Sequence, residues 1–278
     1  MNHLQKYANE QSRFLVIDGS LVHYRVEGNG YPIVLLHGAF SSLHTYDAWC
    51  DILSKKYQLI RLDLPGFGLS GSRVDHDYSM ESYLQFMLHF LDRLRIKKCH
   101  LVGSSLGGWM AWEFALMYPQ KVNKLTLISS AGFLEDRNVP LPFKMARTPF
   151  LSKVIKYAVK KNVLEQFVRQ VYADQNKVTP DLVERYFELF SREGNPEAFL
   201  SLANGKYKDH TKKLRQIKCS TLILWGEEDA WLPLENGYRF RDRIPKSKLI
   251  IYEGVGHVPM EEIPLETAKD LQAFLQGR

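Results

Sequence analysis

Residues 101–109 read Leu101-Val102-Gly103-Ser104-Ser105-Leu106-Gly107-Gly108-Trp109, and the choice between the two serines decides what kind of chain this is. A nucleophilic serine on a sharp strand-to-helix turn needs small residues two positions before and two after, because the strained backbone leaves no room for a Cβ there. Ser104 has Val102 and Leu106 at those positions, whereas Ser105 has Gly103 and Gly107, with Gly108 adding room for close helix packing. The flanks agree, since Cys99 to Val102 reads as a strand and Leu106 to Met117 as a helix. The pentapeptide alone is weak, because Gly-x-Ser-x-Gly arises by chance in roughly one chain of this length in ten. A glycine-rich turn without chemistry is the competing reading until partners are found.

A free serine hydroxyl is a poor nucleophile and needs a base, which in turn needs a group holding its tautomer and balancing the imidazolium. Of nine histidines only His210 and His257 follow Ser105. His210 sits in the hydrated, cationic run Lys208-Asp209-His210-Thr211-Lys212-Lys213. His257 lies in Glu253-Gly254-Val255-Gly256-His257-Val258-Pro259, just beyond the apolar run Leu249 to Tyr252, where a loop at a strand's carboxyl end presents it to a site. Asp229 ends Trp225-Gly226-Glu227-Glu228-Asp229, directly after the run Thr221 to Trp225. Glu227 and Glu228 are alternatives in the same loop; Asp229 is preferred because it clears the strand end. Serine, aspartate and histidine in that order, each beyond a strand, form a joint signal much rarer than the pentapeptide.

Acyl transfer also needs donors for the oxyanion. The Leu106 amide follows the nucleophile and opens a helix, whose positive end favours an anion. A second donor is expected from the loop after the run Ile33 to Leu36, where His37-Gly38 precedes Ala39; the Ala39 amide is preferred over that of Phe40.

Around these motifs the chain of 278 residues is ordinary globular material, with 45% apolar and 24% charged residues. Seven apolar runs, the first at Phe14 to Ile17 and the last at Leu249 to Tyr252, alternate with helical patterns at Met80 to Leu94, Leu106 to Tyr118 and Leu265 to Leu275. That alternation implies an α/β protein with a mostly parallel sheet and helices on both faces. From about Phe133 to Lys213 no strand is legible, only helical stretches punctuated by Pro140, Pro142, Pro149, Pro180 and Pro196. Residues 133–213 therefore read as a helical insertion dividing a core formed by residues 1–132 and 214–278.

Three separated cysteines, Cys50, Cys99 and Cys219, suggest neither a disulfide framework nor a zinc site. With no signal-peptide pattern and no apolar run long enough to span a bilayer, the expected location is the cytoplasm. The net charge of +6 resides mainly in residues 144–161 and 206–218, without the signature of a nucleic-acid-binding module, so no nucleic-acid partner is expected.

His37-Gly38-Ala39-Phe40, Arg61 to Ser70 (R-L-D-L-P-G-F-G-L-S), Gly103 to Gly108, Trp225 to Asp229 and Gly254 to Pro259 occur in the order of the blocks of the α/β-hydrolase fold superfamily, and from about Arg13 to the C-terminus the chain resembles that family. The resemblance implies an eight-stranded, mostly parallel sheet, a helical cap after the sixth strand, a triad of Ser105, Asp229 and His257, and no metal or organic cofactor. Asp63 reads as part of a structured loop bordering the pocket, and His37 as a packing residue of the oxyanion loop.

Departures from family patterns narrow the chemistry. Serine at the elbow and Leu106 after it differ from dehalogenases and epoxide hydrolases, which use aspartate. The loop His37 to Ser42 lacks the glycine-rich H-G-x-G-P-G of ring-cleavage product hydrolases. The preferred expectation is a carboxylesterase, or monoacylglycerol-lipase-like enzyme, acting through an acyl-enzyme on Ser105 on a small ester with an apolar acyl or aryl group. The alternative is a carbon–carbon bond hydrolase of aromatic ring-cleavage products. A ligand receptor retaining the fold is the non-enzymatic alternative.

Within the insertion, Leu151, Val154, Ile155, Ala158 and Val159 share one side of a helical pattern interleaved with Lys153, Lys156, Lys160 and Lys161. This reads as a cap helix with its lysines in water, in preference to a lid leaning on an anionic membrane. Phe133, Phe143, Phe150, Phe167 and Phe199 are candidates for an apolar acyl pocket.

Overall fold

A computed structural model of the chain describes residues 6–133 and 139–277. Eight strands form one sheet: β1 (Ser12–Ile17), β2 (Ser20–Glu27), β3 (Tyr31–Leu36), β4 (Tyr57–Leu62), β5 (Cys99–Ser104), β6 (Val122–Ile128), β7 (Ser220–Gly226) and β8 (Ser247–Tyr252), in the order β1-β2-β4-β3-β5-β6-β7-β8. β1 and β2 pair antiparallel, as do β2 and β4, and every later pairing is parallel. β5 is buried along its whole length, and β3, β6 and β7 over their last four residues or more, because their apolar runs are covered on both faces.

The helices of the core are α1 (Asp47–Leu53), α2 (Met80–Arg93) and α3 (Leu106–Met117) before the insertion, and after it α9 (Leu234–Arg243), α10 (Pro259–Glu262) and α11 (Pro264–Leu275). Between β6 and β7 lie α4 (Leu141–Ala146), α5 (Pro149–Ala158), α6 (Lys161–Val171), α7 (Pro180–Phe190) and α8 (Asn195–Asn204). α3 is apolar all round, and its first ten residues are buried, so it packs as a central element instead of as an amphipathic surface helix.

The seven apolar runs all become strands; β2 is the element their pattern misses. Its sequence S-L-V-H-Y-R-V-E carries His23 and Arg25 at buried positions, so its hydrophobic alternation is interrupted by polar groups that are satisfied only in three dimensions. The single basic helix expected near Lys153 is also corrected: the chain leaves the helix at Val159, with φ −60° and ψ 120°, and starts α6 at Lys161. Ile155 is buried, Val159 half-buried, and Lys153, Lys160 and Lys161 exposed. The side chains of Leu151, Val154, Lys156 and Ala158 lie outside the described residues.

The strand order reverses between β3 and β5, so the connections that leave these neighbours run to opposite sides and open a crevice at their carboxyl ends. Buried polar groups brace the loops there. The fully buried Asp63 carboxylate accepts from the Leu43 and Leu69 amides, both at 2.7 Å, and from His23 Nδ1 at 2.7 Å. His37 Nε2 accepts from the Leu64 amide (2.9 Å) while Nδ1 donates to the Gly38 carbonyl (2.7 Å), which fixes a neutral ring; burial also lowers its pKa. The loops after β3 and β4 are thereby tied to each other and to β2.

Burial opposes ionisation of Asp63, but the hydrogen bond and charge of His23 outweigh it and hold the carboxyl well below the usual range. A depressed folded-state pKa gives stability that is present above the unfolded value, about pH 4, and lost as pH falls below it. Asp63→Asn, which turns a donor toward buried donors, is expected to cost roughly 2 kcal/mol or more at neutral pH. Thermal unfolding from pH 3 to 7 should show the gap between variant and wild type shrinking toward acid pH.

Candidate active site

Ser105 stands between β5 and α3 with φ 52° and ψ −113°, a region that costs a non-glycine residue of order 1–3 kcal/mol. The turn is held from both sides, since its amide donates to the Ile128 carbonyl and its carbonyl accepts from the Ala131 and Trp109 amides, each at 3.0 Å. Its neighbours must be glycine: a Cβ on Gly103 would sit 2.1 Å from the Gly107 carbonyl oxygen, and one on Gly107 would sit 2.3 Å from that of Leu36. The tight turn therefore lifts the Ser105 side chain over the sheet edge.

His257 is presented from the loop after β8, and its Nδ1 lies 2.8 Å from Asp229 Oδ2, both residues being buried. The other carboxylate oxygen of Asp229 accepts from the Trp231 and Leu232 amides, each at 2.9 Å, so the acid is fixed in orientation by backbone. A carboxylate so placed holds the ring with its proton on Nδ1, which leaves Nε2 as the acceptor. Among the described residues Nε2 is buried and has no hydrogen-bond partner, and His257 and Ser105 line the same compartment. Glu227 and Glu228 are exposed to solvent, and His210 pairs with Glu113 at 3.0 Å.

Gly38 and Ala39 line that compartment too, and a Cβ on Gly38 would lie only 3.0 Å from Ser105 Cβ, so the loop after β3 passes directly beside the serine. The Leu106 amide opens α3, where helix geometry provides no internal acceptor. The structure thus brings Ser105, His257, Asp229, Ala39 and Leu106 to one place at the carboxyl ends of β3, β5, β7 and β8. Among the described residues no group of three or more His, Cys, Asp or Glu side chains is arranged to hold a metal.

Two compartments meet at Ser105 and Trp231. The first, beneath α6, is walled by Phe40, Leu164, Phe167, Val168 and Met260 beside His257; the second, beneath α4 and α8, by Leu106, Trp109, Phe133, Phe143 and Tyr207. Of the phenylalanines expected to form a pocket, Phe167 lines the first compartment and Phe133 and Phe143 the second. Phe199 is instead buried against Phe40, their ring centroids 4.2 Å apart, and Phe150 is 75% exposed. The sequence reading missed Trp231, whose ring lies 5.5 Å from that of His257, and Tyr186, because neither belongs to a motif. No helix among the described residues is long and apolar enough to cross a membrane.

A family model for the alpha/beta hydrolase fold matches residues 31–264. The chain is 30% identical, over 266 residues covering 91% of its length and 88% of the relative, to a 2-hydroxy-6-oxononadienedioate/2-hydroxy-6-oxononatrienedioate hydrolase of Burkholderia vietnamiensis. The crystal structure of a point mutant of a meta-cleavage product hydrolase (CumD) superposes with a TM-score of 0.85 at 24% identity, covering 97% of this chain and 99% of that one. A membrane phospholipase A gives a TM-score of 0.83 at 26% identity over 99% of this chain and 88% of that one. With this sheet order, this serine turn and a model match over most of its length, the chain belongs to the alpha/beta hydrolase fold family.

Proposed function

We propose that the chain is a serine hydrolase that forms an acyl-enzyme on Ser105 from a substrate whose carbonyl carries an apolar acyl or aryl group. The observation that carries this reading is the Asp229–His257 hydrogen bond, with the unpartnered Nε2 on the same compartment as Ser105. His257 takes the Ser105 proton as the hydroxyl attacks the carbonyl, the Ala39 and Leu106 amides receive the oxyanion, and Asp229 stabilises the imidazolium. The tetrahedral species collapses as His257 returns its proton to the leaving group. Water, deprotonated by the same ring, then releases the carboxylic acid and frees Ser105. Apolar walls on both sides of Ser105 favour an apolar group at the carbonyl.

Two leaving groups fit this scheme. The likeness to a hydrolase named for 2-hydroxy-6-oxo dienedioates, 30% identical over nearly the whole chain, supports cleavage of a carbon–carbon bond next to the carbonyl and moves the preference away from the ester expected from the sequence. A carbon leaves only as a stabilised carbanion, so the substrate would carry a conjugated enone or dienol, with the proton delivered to carbon. The ester reading stays as the second one on a specific observation: the loop His37 to Ser42 is not glycine-rich, and Phe40 lines the Ser105 compartment from within an aromatic cluster. The phospholipase A likeness supports the same reading.

A 6-aryl-2-hydroxy-6-oxohexa-2,4-dienoate and a chain-length series of p-nitrophenyl esters, assayed side by side, separate the two. Under the carbon–carbon reading kcat/KM for the dienoate exceeds that for the best ester; the reverse order overturns it in favour of the ester. For whichever is turned over, Ser105→Ala should lower kcat by about 10⁴-fold or more and Asp229→Asn by about 10⁴-fold. A fluorophosphonate probe should label one serine, mapped by peptide mass to Ser105; full activity in Ser105→Ala would discard the scheme.

A further inference from the structure

Behind the first compartment lies a buried carboxylate that the scheme above does not use. Glu261, in α10 four residues after His257, has a side chain only 9% exposed and takes four donors, two on each oxygen. Oε1 accepts from Thr45 Oγ1 (2.5 Å) and Tyr186 OH (2.8 Å), and Oε2 from Tyr172 OH (2.9 Å) and Arg185 Nη2 (2.8 Å). These donors come from three separate parts of the fold. Thr45 lies in the turn that follows the oxyanion loop, Tyr172 just past the end of α6, and Arg185 and Tyr186 on α7. Tyr186 lines the first compartment together with Ser41, two residues after Ala39.

The same elements hold the main chain of the histidine loop. The His257 amide donates to the carbonyl of Val171, the last residue of α6, at 2.8 Å. Ser41, Thr45 and Tyr186 line the compartment alongside Ser105 and His257. One carboxylate therefore joins the oxyanion loop, the inserted helices and the loop that carries the histidine.

We propose that Glu261 is a positioning residue, which sets the placement of the oxyanion loop relative to His257 by saturating its carboxylate with these four donors. The proposal rests on the reading of Ser105 and His257 as the reacting pair. An ionised carboxylate is an acceptor at every lone pair, which is what four converging donors need; glutamine would turn an N–H group toward two of them. Removing the negative charge also leaves the Arg185 guanidinium uncompensated in a largely buried site, a state that drives local rearrangement. Both groups placed by this carboxylate act on the same tetrahedral carbon, so a displacement of about 1 Å is expected to cost about 10²-fold in rate without abolishing binding. A brace that merely fastens the inserted helices would lower the melting temperature and leave the reaction rate alone.

The test uses full-length Glu261→Gln, Thr45→Val and the double variant, with three readouts: the fluorophosphonate inactivation rate at Ser105, kcat and KM on whichever substrate wild type turns over, and Tm. Glu261→Gln is expected to react about 10- to 100-fold more slowly by both kinetic measures with KM within about threefold. Thr45→Val is expected to cost about three- to tenfold in wild type and almost nothing in the Glu261→Gln background, because its link to the histidine loop is then already broken. Kinetic constants within about twofold of wild type beside a lowered Tm, or a Thr45→Val penalty equal in both backgrounds, would overturn the proposal. Should Glu261→Gln fail to fold, the cycle of Thr45→Val with Tyr172→Phe reads the same coupling: mutually dependent losses support the hub, and independent ones refute it. Wild type that neither labels nor turns over a substrate overturns the serine-hydrolase reading as well, and that result is seen before any variant is compared.

Discussion

The turn at Ser105 is the constraint that the whole site rests on. A backbone at φ 52° is held there only because β6 supplies an acceptor for its amide, the segment after β6 supplies a donor for its carbonyl, and glycines on either side remove the atoms that would collide. Strain of this kind persists when its surroundings over-determine it. Here the surroundings are the parallel strands β3, β5 and β6, whose carboxyl ends must lie level for the turn, the Leu36 carbonyl and the Ile128 carbonyl to meet. The sheet supplies that level edge, and the loops after β7 and β8 bring Asp229 and His257 to the same edge.

What keeps those loops in place is polar and buried. Asp63 and His37 brace the loops after β3 and β4, two backbone amides orient Asp229, and Glu262 accepts from the Gly256 and Asp174 amides at 2.9 and 2.8 Å. The carboxylates among them are each saturated by several donors, an arrangement that fixes direction where an apolar contact fixes only distance. Around this frame the walls are aromatic and aliphatic, so the site combines rigid polar supports with an apolar space beside Ser105. The inserted helices take part in both: α6 contributes Phe167 and Val168 to the wall, and its final carbonyl holds the His257 amide.

His23 also lies between a carboxylate and a serine, with Asp63 at 2.7 Å on one ring nitrogen and Ser12 at 2.8 Å on the other. The same three residue types thus occur twice in the fold. At the first strands they join β1, β2 and the loop after β4 and line neither compartment, whereas Ser105 opens onto both and His257 onto the first. Residue identity alone does not tell the two sets apart; access and a strained backbone do.

The positions of the candidate site are legible in the sequence because each depends on local rules. Glycine spacing picks Ser105 over Ser104, an apolar run before it places His257 at a strand end, and the same reasoning selects Asp229. Seven of the eight strands were legible as apolar runs: the central ones, covered on both faces, are apolar throughout, and the edge strands β1 and β8 carry apolar side chains although largely exposed. β2 was not, since His23 and Arg25 find partners only across the fold. Nor were Trp231 and the donors of Glu261, or which phenylalanines face a compartment, because these follow from how α4 to α8 pack over the sheet, and helical periodicity gives a face without saying what it meets. Spacing and local sterics, both written in the order of residues, are enough to specify the sheet, the strained turn and the three polar groups at strand ends. Which buried donors converge on which carboxylate, and which side chains wall the compartments, emerges only on folding, because those contacts join residues far apart in the chain.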